Sequence, residues 1–317
     1  MVADSTVPSD AAPAAGTARA QGELKLGGRT FGPDERVIMA IINRTPDSFY
    51  DRGAHYAEDA ALAAVGQAVA EGAAIIDIGG VKAGPGEEVD AAEEIRRTAT
   101  FIAKVRERHS EVVISADTWR AEVARVVCQE GADLLNDSWG GYDPALAEVA
   151  AEYGVGLVCT HTGGIAPRNR PPAGIDYPDV MADILRHTLS LAERAVELGV
   201  RRESVLIDPT HDFGKNTRHS LEATRRLEEM TATGWPVLVS LSNKDFIGET
   251  LDLPVKQRLV GTLATTAVCA WLGARVYRVH EVTQTRQVLD MVSSIQGIRP
   301  PALARRGVVE GWTPAAP

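Results

Sequence analysis

Polar and charged side chains follow a series of short apolar runs along this chain, with one or two at the end of each run. A single polar residue after an apolar run is usually a helix N-cap or a loop hydrogen bond. Their recurrence at every run indicates instead a shared site in which acids, amides and bases meet. The residues at the run ends are Asn43, Asp77, Asp117, Asn136, His161, Asp208, Ser242 with Lys244, and Arg278 with His280.

Four of these residues form a first candidate group, which consists of Asp117, Asn136, Asp208 and Lys244. Carboxylates and a carboxamide offer paired acceptors, or a donor beside an acceptor, to the NH and C=O edges of a planar heterocycle. A lysine can hold such a ring from one side. The group therefore predicts a pocket for a flat, polar ring.

A second candidate group consists of Asn43, Arg278 and His280, which follow the first and the last apolar runs. A guanidinium, an imidazole and a carboxamide suit an anion such as phosphate or pyrophosphate, directly or through magnesium. The alternative for Arg278 and His280 is a structural ion pair with Glu281 or another neighbour. Both interpretations stay open on the residues alone.

The apolar runs predict eight buried strands that would position these groups. An Ala-rich helical stretch ending in glycine precedes six of the runs, which is typical of a helix C-cap leading into a parallel strand. Eight such units predict a single (β/α)8 TIM barrel over residues 35–299, with its active site at the carboxyl ends of the strands. The runs are Val37–Ile42, Ala74–Ile78, Val112–Ala116, Ala132–Leu135, Val155–Cys159, Val205–Ile207, Val237–Leu241 and Arg275–Val279.

Composition limits the classes to which the chain could belong. We expect a disordered N-terminal arm over residues 1–34 and a short C-terminal tail over residues 300–317. The 33 basic and 43 acidic residues leave a net charge of −10, which argues against a broad nucleic-acid-binding surface. No apolar run is long enough to predict a membrane span. Three isolated cysteines without CxxC spacing predict reduced thiols in a cytoplasmic protein.

The motifs at the run ends resemble those of the dihydropteroate synthase family, a branch of the pterin-binding TIM barrels. The resemblance extends over residues 36–297 and preserves the family's order of motifs. The matching segments are NRTPDSFYDRG at 43–53, DIGG at 77–80, SADT ending at 118, LLND at 134–137, IDP with FGK between 207 and 215, SNKDFIG at 242–248 and RVHEV at 278–282.

This resemblance implies a reaction and roles for the residues. The family joins 6-hydroxymethyl-7,8-dihydropterin pyrophosphate to para-aminobenzoate in folate biosynthesis. By resemblance the pterin pocket would use Asp117, Asn136, Asp208 and Lys244, and the anion site would use Asn43, Arg278 and His280. Lys244, Arg278 and His280 would be catalytic, and Mg²⁺ would bind at Asn43. The resemblance also implies a homodimer and sulfone or sulfonamide ligands.

The clearest departure from the family lies in the loop that would close over the second substrate. The family has Gly-Gly-Glu-Ser-Thr-Arg-Pro-Gly, whereas this chain has GGVKAGPG at 79–86. Ala83 and Gly84 stand at the Thr-Arg pair and supply neither a hydroxyl nor a guanidinium. Lys82 carries a charge one position out of register, without the bidentate fork of arginine.

Further departures flank the lysine motif and the sixth run. Asn243 and Asp245 replace an arginine and a neutral or basic residue, and an acid at 245 would repel an aminobenzoate carboxylate. Thr210, His211 and Asp212 replace a Gly-rich turn. A basic loop, PRNRPP at 167–172, is either a gate at the barrel mouth or an ordinary solvated loop.

The sequence therefore predicts a pterin-binding paralogue of the second, inactive actinobacterial type. Such a protein would have very weak or no dihydropteroate synthase activity and low affinity for 6-hydroxymethyl-7,8-dihydropterin pyrophosphate, because groups that close the site are missing. The first alternative is an active dihydropteroate synthase with a remodelled loop. The others are a different pterin or folate chemistry, such as a methyltetrahydrofolate methyltransferase domain without its corrinoid partner, and a phosphate-handling barrel.

Overall fold

The computed structural model describes residues 21–45, 54–86 and 88–306, with only the backbone for 54–57. The rest of the predicted arm, most of the NRTPDSFYDRG motif and the end of the tail lie outside the described residues. The strands of the described residues are β1 (Leu24–Leu26), β2 (Arg29–Phe31), β3 (Val37–Asn43), β4 (Ile75–Gly79), β5 (Val113–Asp117), β6 (Leu134–Asn136), β7 (Gly156–Thr160), β8 (Val205–Asp208), β9 (Leu238–Ser240) and β10 (Val276–Val279).

Strands β3 to β10 form one parallel sheet in the order β8-β7-β6-β5-β4-β3-β10-β9. A parallel bridge between Ile207 and Val237 joins β8 to β9 and closes the sheet. The predicted (β/α)8 barrel is confirmed. The helices are α1 (Ala54–Ala70), α2 (Ala91–Arg108), α3 (Ala121–Gln129), α4 (Ala145–Tyr153), α5 (Val180–Glu197), α6 (Thr217–Arg225), α7 (Leu227–Thr231), α8 (Asp245–Leu251), α9 (Leu259–Trp271) and α10 (Val282–Ile295).

The glycines that precede six of the strands have the conformation expected of helix C-caps. All six have a positive φ, a region that costs L-residues more than glycine. Gly154, for example, ends α4 with φ 66° and ψ 24°. Each glycine stops its helix and turns the chain into the next strand. The six are Gly72, Gly131, Gly154, Gly199, Gly234 and Gly273.

The barrel interior changes from apolar to polar along each strand. Successive residues of a strand point to opposite faces, so inward positions recur every two residues. The lower inward positions are apolar and fully buried, as at Ile75 and Val276. The next inward positions are polar: Asp77 follows Ile75, and Arg278 follows Val276. The polar layer therefore lies toward the carboxyl ends of the strands, resting on an apolar floor.

A short hairpin of β1 and β2 completes that floor. Leu24, Leu26 and Phe31 are fully buried against the lower barrel residues. The buried Arg275, just before β10, donates to the carbonyls of Gly22, Phe31 and Gly32 and holds the hairpin in place. The predicted disordered arm covers residues 1–34, and for 24–31 that prediction is wrong. Two three-residue strands were too short to show a period.

None of the described helices combines the length and the apolarity needed to cross a bilayer. Cys128, Cys159 and Cys269 are free thiols, two of them buried. Burial raises the pKa of the Cys269 thiol to about 12. These thiols are therefore protonated and behave as small apolar side chains.

We predict that Leu26→Ala lowers the free energy of unfolding by about 2–5 kcal/mol, because it opens a cavity beneath the barrel floor. Leu303→Ala is the matched control, since Leu303 is 65% exposed, and it should change stability by no more than about 0.5 kcal/mol. Urea unfolding followed by circular dichroism measures both. Equal effects would show that the hairpin does not contribute to the core.

Candidate functional site

Arg278 lies between two carboxylates at the centre of the barrel mouth. Its Nε is 2.6 Å from Oδ2 of Asp77, and its Nη2 is 2.6 Å from Oδ2 of Asp117. Asp77 is fully buried and also accepts a hydrogen bond from Ser115 Oγ at 2.6 Å. Asp117 accepts from Ser138 Oγ at the same distance. The guanidinium thus links β10 to β4 and β5.

The predicted site residues do not include Asp77, although the sequence places it at the end of an apolar run. The signal was a charged residue on the inward face of an otherwise apolar strand, Ile-Ile-Asp-Ile-Gly. A fully buried carboxylate requires a charged or hydrogen-bonding partner. That rule predicts a cation close by, although the sequence alone does not say which one.

Asn136 and Asp208 occupy the same polar layer on β6 and β8. The Asn136 amide lies 3.4 Å from both carboxylate oxygens of Asp77, at the long end of hydrogen-bonding distance. Asp208 accepts from the Thr210 amide at 2.6 Å, which fixes the carboxylate at the start of the β8–α6 loop. Both side chains are almost fully buried. The structure therefore brings Asp117, Asn136, Asp208 and Arg278 together around one centre.

Burial shifts the acidity of these carboxyls. It raises the pKa of Asp117 to about 6, although the charge of Arg278 acts in the opposite direction. It also raises the pKa of Asp208 to about 6, against the Thr210 amide and Lys244. Near neutral pH both groups remain mainly ionised and can accept hydrogen bonds from a ligand.

Lys244 joins this centre from the loop after β9. Its Nζ donates to the carbonyl of His211 at 2.6 Å and lies 4.4 Å from the centre of the Phe213 ring. Burial lowers its pKa, and the nearby carboxylates of Asp212 and Asp208 oppose that shift. The lysine therefore holds the β8–α6 loop as well as facing the mouth.

Asn43 and His280 lie at the ends of neighbouring strands, and both are exposed. The backbone amide of His280 donates to Ser242 Oγ at 3.2 Å. The alternative of a structural ion pair holds for Arg278, but its partners are Asp77 and Asp117 and not Glu281, which accepts from the Asn243 amide at 3.1 Å. The structure thus places the Arg278 guanidinium with Asp117, whereas the sequence analysis grouped it with Asn43 and His280.

The β8–α6 loop has a buried lysine at its centre. Lys215 Nζ donates to the carbonyls of His161, Thr210 and Phe213 at 2.8, 3.2 and 3.0 Å. All three ammonium protons are thereby directed at backbone oxygens. Lys215 fixes the loop that presents Phe213 to the mouth.

The altered loop after β4 is held by arginines from other elements. Arg97 donates to the carbonyl of Gly80 at 2.9 Å. Arg168, from the PRNRPP stretch, donates to the carbonyls of Lys82 and Gly84 at 3.2 and 3.3 Å. These bonds hold the two loops together. The PRNRPP stretch is therefore part of the mouth, and whether it acts as a gate stays a prediction.

A cavity of about 550 Å³ opens where these loops meet the rim of the barrel. Its walls come from the loops after β4, β6, β7 and β8 and from α8. Aromatic rings line it beside acidic and basic side chains. The lining includes Ala83, Gly84, Pro85, Trp139, Arg170, Asp212, Phe213, Lys215, Asp245, Phe246 and Glu249.

Comparison with known proteins agrees with this geometry. The model of the family described as "Pterin binding enzyme" matches residues 39–280. The chain belongs to the pterin-binding enzyme family. It is 59% identical over 286 residues to the inactive dihydropteroate synthase 2 of Mycobacterium leprae (strain TN), covering 89% of this chain and 98% of that relative. It is 37% identical over 264 residues to the dihydropteroate synthase of Bacillus subtilis (strain 168), covering 83% and 89%.

Solved structures of pterin-binding enzymes share the fold. The dihydropteroate synthase of Xanthomonas albilineans with 4-aminobenzoic acid has a TM-score of 0.80 and 32% identity, covering 88% of this chain and 100% of that one. The same organism's enzyme in complex with 7,8-dihydropteroate has a TM-score of 0.77 and 32% identity, covering 87% and 100%. The resemblance drawn from the motifs is confirmed.

The described residues of this pterin-binding protein contain no metal site made of acidic, histidine or cysteine side chains. Within the described ranges, no group of three or more such residues is arranged to hold an ion. Asn43, at the end of β3, offers one exposed carboxamide oxygen. A Mg²⁺ ion there would need most of its ligands from a bound phosphate and from water.

We predict that Arg278→Met lowers the unfolding free energy by about 3–5 kcal/mol at pH 7, because it leaves the buried carboxylates of the pterin-binding barrel without their cation. Removing the guanidinium raises the pKa of Asp117 further. The folded variant then binds protons more tightly than its unfolded chain, so its deficit should shrink as pH falls from 7 to 5. Urea titrations at both pH values measure this.

The matched control is Arg186→Met, because Arg186 is largely exposed and pairs with Asp183 at the surface. Its loss should stay within about 1 kcal/mol at both pH values. A deficit of Arg278→Met that grows as pH falls would contradict the assigned charge state of Asp117.

Proposed function

We propose that this chain is a dihydropteroate synthase-like, pterin-binding protein with very weak or no synthase activity. It would have low affinity for 6-hydroxymethyl-7,8-dihydropterin pyrophosphate. The observation that carries the proposal is the loop after β4, where Ala83 and Gly84 line the cavity without a hydroxyl or a guanidinium. The names of the more similar relatives support it, since the Mycobacterium leprae protein is called inactive.

The polar layer of the barrel supports the pterin-binding part of the proposal. Asp117, Asn136 and Asp208 lie at the carboxyl ends of β5, β6 and β8, and a ring with alternating NH and C=O groups needs such an array of donors and acceptors. Lys244 closes one side of this array, over Phe213. Arg278 keeps the carboxylates ionised and oriented. These residues would bind the ring whether or not the chain catalyses its transfer.

The altered loop explains why transfer would be slow. Synthesis requires the departing pyrophosphate and the attacking amine to be held together away from water. Positive groups fixed beside the leaving group stabilise its developing charge. Here the carbonyls of Lys82 and Gly84 are tied to Arg168, so the loop faces the cavity with small side chains. Loss of one fixed donor typically costs about 10²–10³ in rate.

A pyrophosphate, if bound, would lie toward Asn43 and His280 at the ends of β3 and β10. The Asn43 carboxamide would provide one ligand for Mg²⁺, and phosphate oxygens and water would provide the others. Bound Mg²⁺ would neutralise charge on the leaving group. His280 would hold or release a proton at a phosphate oxygen. We also propose that the protein is cytoplasmic and that it binds sulfone or sulfonamide ligands.

Pterin binding and turnover test this proposal together. Calorimetry should show that the chain binds 6-hydroxymethylpterin, and that Asp208→Ala abolishes binding while circular dichroism stays unchanged, because the carboxylate that pairs with the ring is gone. With the pyrophosphate substrate, Mg²⁺ and 4-aminobenzoate, the chain should form dihydropteroate at least about 10²-fold more slowly than the Bacillus subtilis enzyme.

The double substitution Ala83→Thr with Gly84→Arg separates loss of the closing groups from other causes. It should raise turnover, whereas Leu303→Ala should not. Turnover of the unaltered chain at the rate of the Bacillus subtilis enzyme would favour the active synthase. Unchanged pterin binding by Asp208→Ala would remove the assigned ring site.

We further propose that the protein is a homodimer that pairs through helices α9 and α10. These neighbouring helices carry large apolar side chains on their outer faces. Val260 is 78% exposed, and Trp271, Met291 and Ile295 are each more than half exposed. Scattered apolar side chains are normal on a surface, but a cluster on adjacent helices is typical of an interface. A second copy is the partner that the family resemblance implies.

Val260→Asp combined with Met291→Asp should convert the dimer to a monomer, because two buried charges would face the partner subunit. Size-exclusion chromatography with light scattering measures the mass. Tyr142→Asp, at an exposed aromatic residue outside these helices, is the control and should leave the dimer intact. A monomeric unaltered chain at micromolar concentration would refute the proposal.

A further inference from the structure

Asp212 is an acid built into the wall of the cavity beside the barrel mouth. Its carboxylate accepts hydrogen bonds from the backbone amide of Asp245 at 2.7 Å, from that of Phe246 at 3.2 and 3.3 Å, and from Ser220 Oγ at 3.3 Å. Its own amide donates to Ser220 at 3.0 Å. Four interactions therefore fix its position and leave no freedom to swing away from a ligand.

The backbone at Asp212 shows that this arrangement has a cost. Its φ is 71°, and that of Thr210, two residues earlier, is 53°. Non-glycine residues seldom adopt this region, and such strain persists only where neighbouring bonds hold it. Glycine would adopt these φ values without strain. The chain instead keeps a carboxylate at the cavity wall and holds it there with hydrogen bonds.

No lysine or arginine among the described residues forms an ion pair with Asp212, although Lys244 and Lys215 lie near enough for their charges to act on it. Lys215 directs its ammonium at the carbonyls of His161, Thr210 and Phe213. Arg170 lies at the exposed rim. Burial raises the pKa of Asp212, while the charge of Lys244 and the two amides act in the opposite direction. A negative charge brought into the cavity would therefore meet a fixed acid in a partly desolvated setting.

Asp245 is a weaker source of repulsion than its position in the sequence suggested. Its side chain is 79% exposed and pairs with Arg258 at 2.8 Å. Solvent and the paired guanidinium both screen its charge. The acid that matters for a ligand in the cavity is therefore Asp212, which in the sequence is visible only as a departure from a Gly-rich turn.

Aromatic rings provide the remaining recognition surface. Trp139 and Phe213 pack with ring centres 5.1 Å apart, and both line the cavity together with Phe246. Such walls suit another flat ring, which gains by burial and by ring contacts. An aromatic ligand can use these walls only if its polar substituent does not bring a negative charge to Asp212.

We propose that Asp212 makes this cavity select uncharged aromatic amines over aryl carboxylates. The inference rests on the proposed function only in taking the cavity as the place where a second ring binds beside the pterin. It names the ligand class that the altered mouth accepts: a primary aromatic amine whose para substituent is neutral, such as an amide or a sulfone. An aminobenzoate would be the disfavoured member of the pair.

The test compares 4-aminobenzamide with 4-aminobenzoate, which have nearly the same shape and differ by one charge at pH 7. Ligand-observed NMR titrations, with and without saturating 6-hydroxymethylpterin, give both dissociation constants. The unaltered chain should bind the amide at least about tenfold more tightly, which is the effect of one partly screened charge at contact distance. Asp212→Asn should reduce this ratio to about twofold or less, through tighter binding of the benzoate.

Asp212→Gly is the second variant. Glycine tolerates the positive φ, so this variant should fold even if Asp212→Asn does not. It should change the ratio in the same direction. Asp252→Asn is the matched control, since Asp252 is also an acid at positive φ but is exposed and lies outside the cavity lining. The ratio of the two dissociation constants for Asp252→Asn should equal that of the unaltered chain.

The outcomes separate this inference from the proposed function. A ratio near one in the unaltered chain, a ratio unchanged in both Asp212 variants, or an equal effect of Asp245→Asn would each overturn the role of Asp212. So would the absence of binding of either amine to every variant. Failure of the pterin to bind, with the amide preference intact in its absence, would overturn the proposed function and leave this inference standing.

Discussion

The contact between Arg278 and the two carboxylates of Asp77 and Asp117 is the interaction on which the rest of the mouth depends. Each carboxylate would be costly to bury alone, and the guanidinium offsets that cost with short, charge-assisted hydrogen bonds. The three side chains come from β4, β5 and β10, so the contact also fixes how these strands lie in the barrel. Asn136 and Asp208 can face the same centre because that geometry is already set.

The loops above this centre are also held by cationic side chains, here through hydrogen bonds from arginine and lysine to backbone carbonyls. Lys215 fixes the β8–α6 loop, and Arg168 ties the loop after β7 to the loop after β4. In both places a cation that could meet a ligand is instead part of the scaffold. The mouth therefore has buried polar side chains within the barrel, while its upper wall carries small side chains and an acid. Under the proposed function, recognition of the ring and chemistry on it would depend on different layers of the fold.

Much of the barrel could be predicted from sequence because its signals are local. Glycine at the end of an amphipathic helix and a continuous apolar run are both readable within about ten residues. The hairpin at 24–31 was missed because its burial depends on strands more than 200 residues away, through Arg275. The partner of Arg278 was also missed, since Glu281 is near in sequence whereas Asp77 and Asp117 are near only in space. For Asp212, the sequence showed a changed turn but not the amides that orient its carboxylate.

Strand β10 has a further consequence through Arg275 and Arg278, which lie three residues apart at its opposite ends. Arg275 donates hydrogen bonds to the hairpin under the barrel, and Arg278 pairs with the carboxylates at the barrel mouth. A shift of this one short strand along its axis would therefore disturb both ends at once. Substitutions in the hairpin would then act on the same strand as substitutions of Asp77 or Asp117, and their energies need not add. Substitutions that accumulate beneath the barrel could thus alter the geometry of its mouth without changing any residue there.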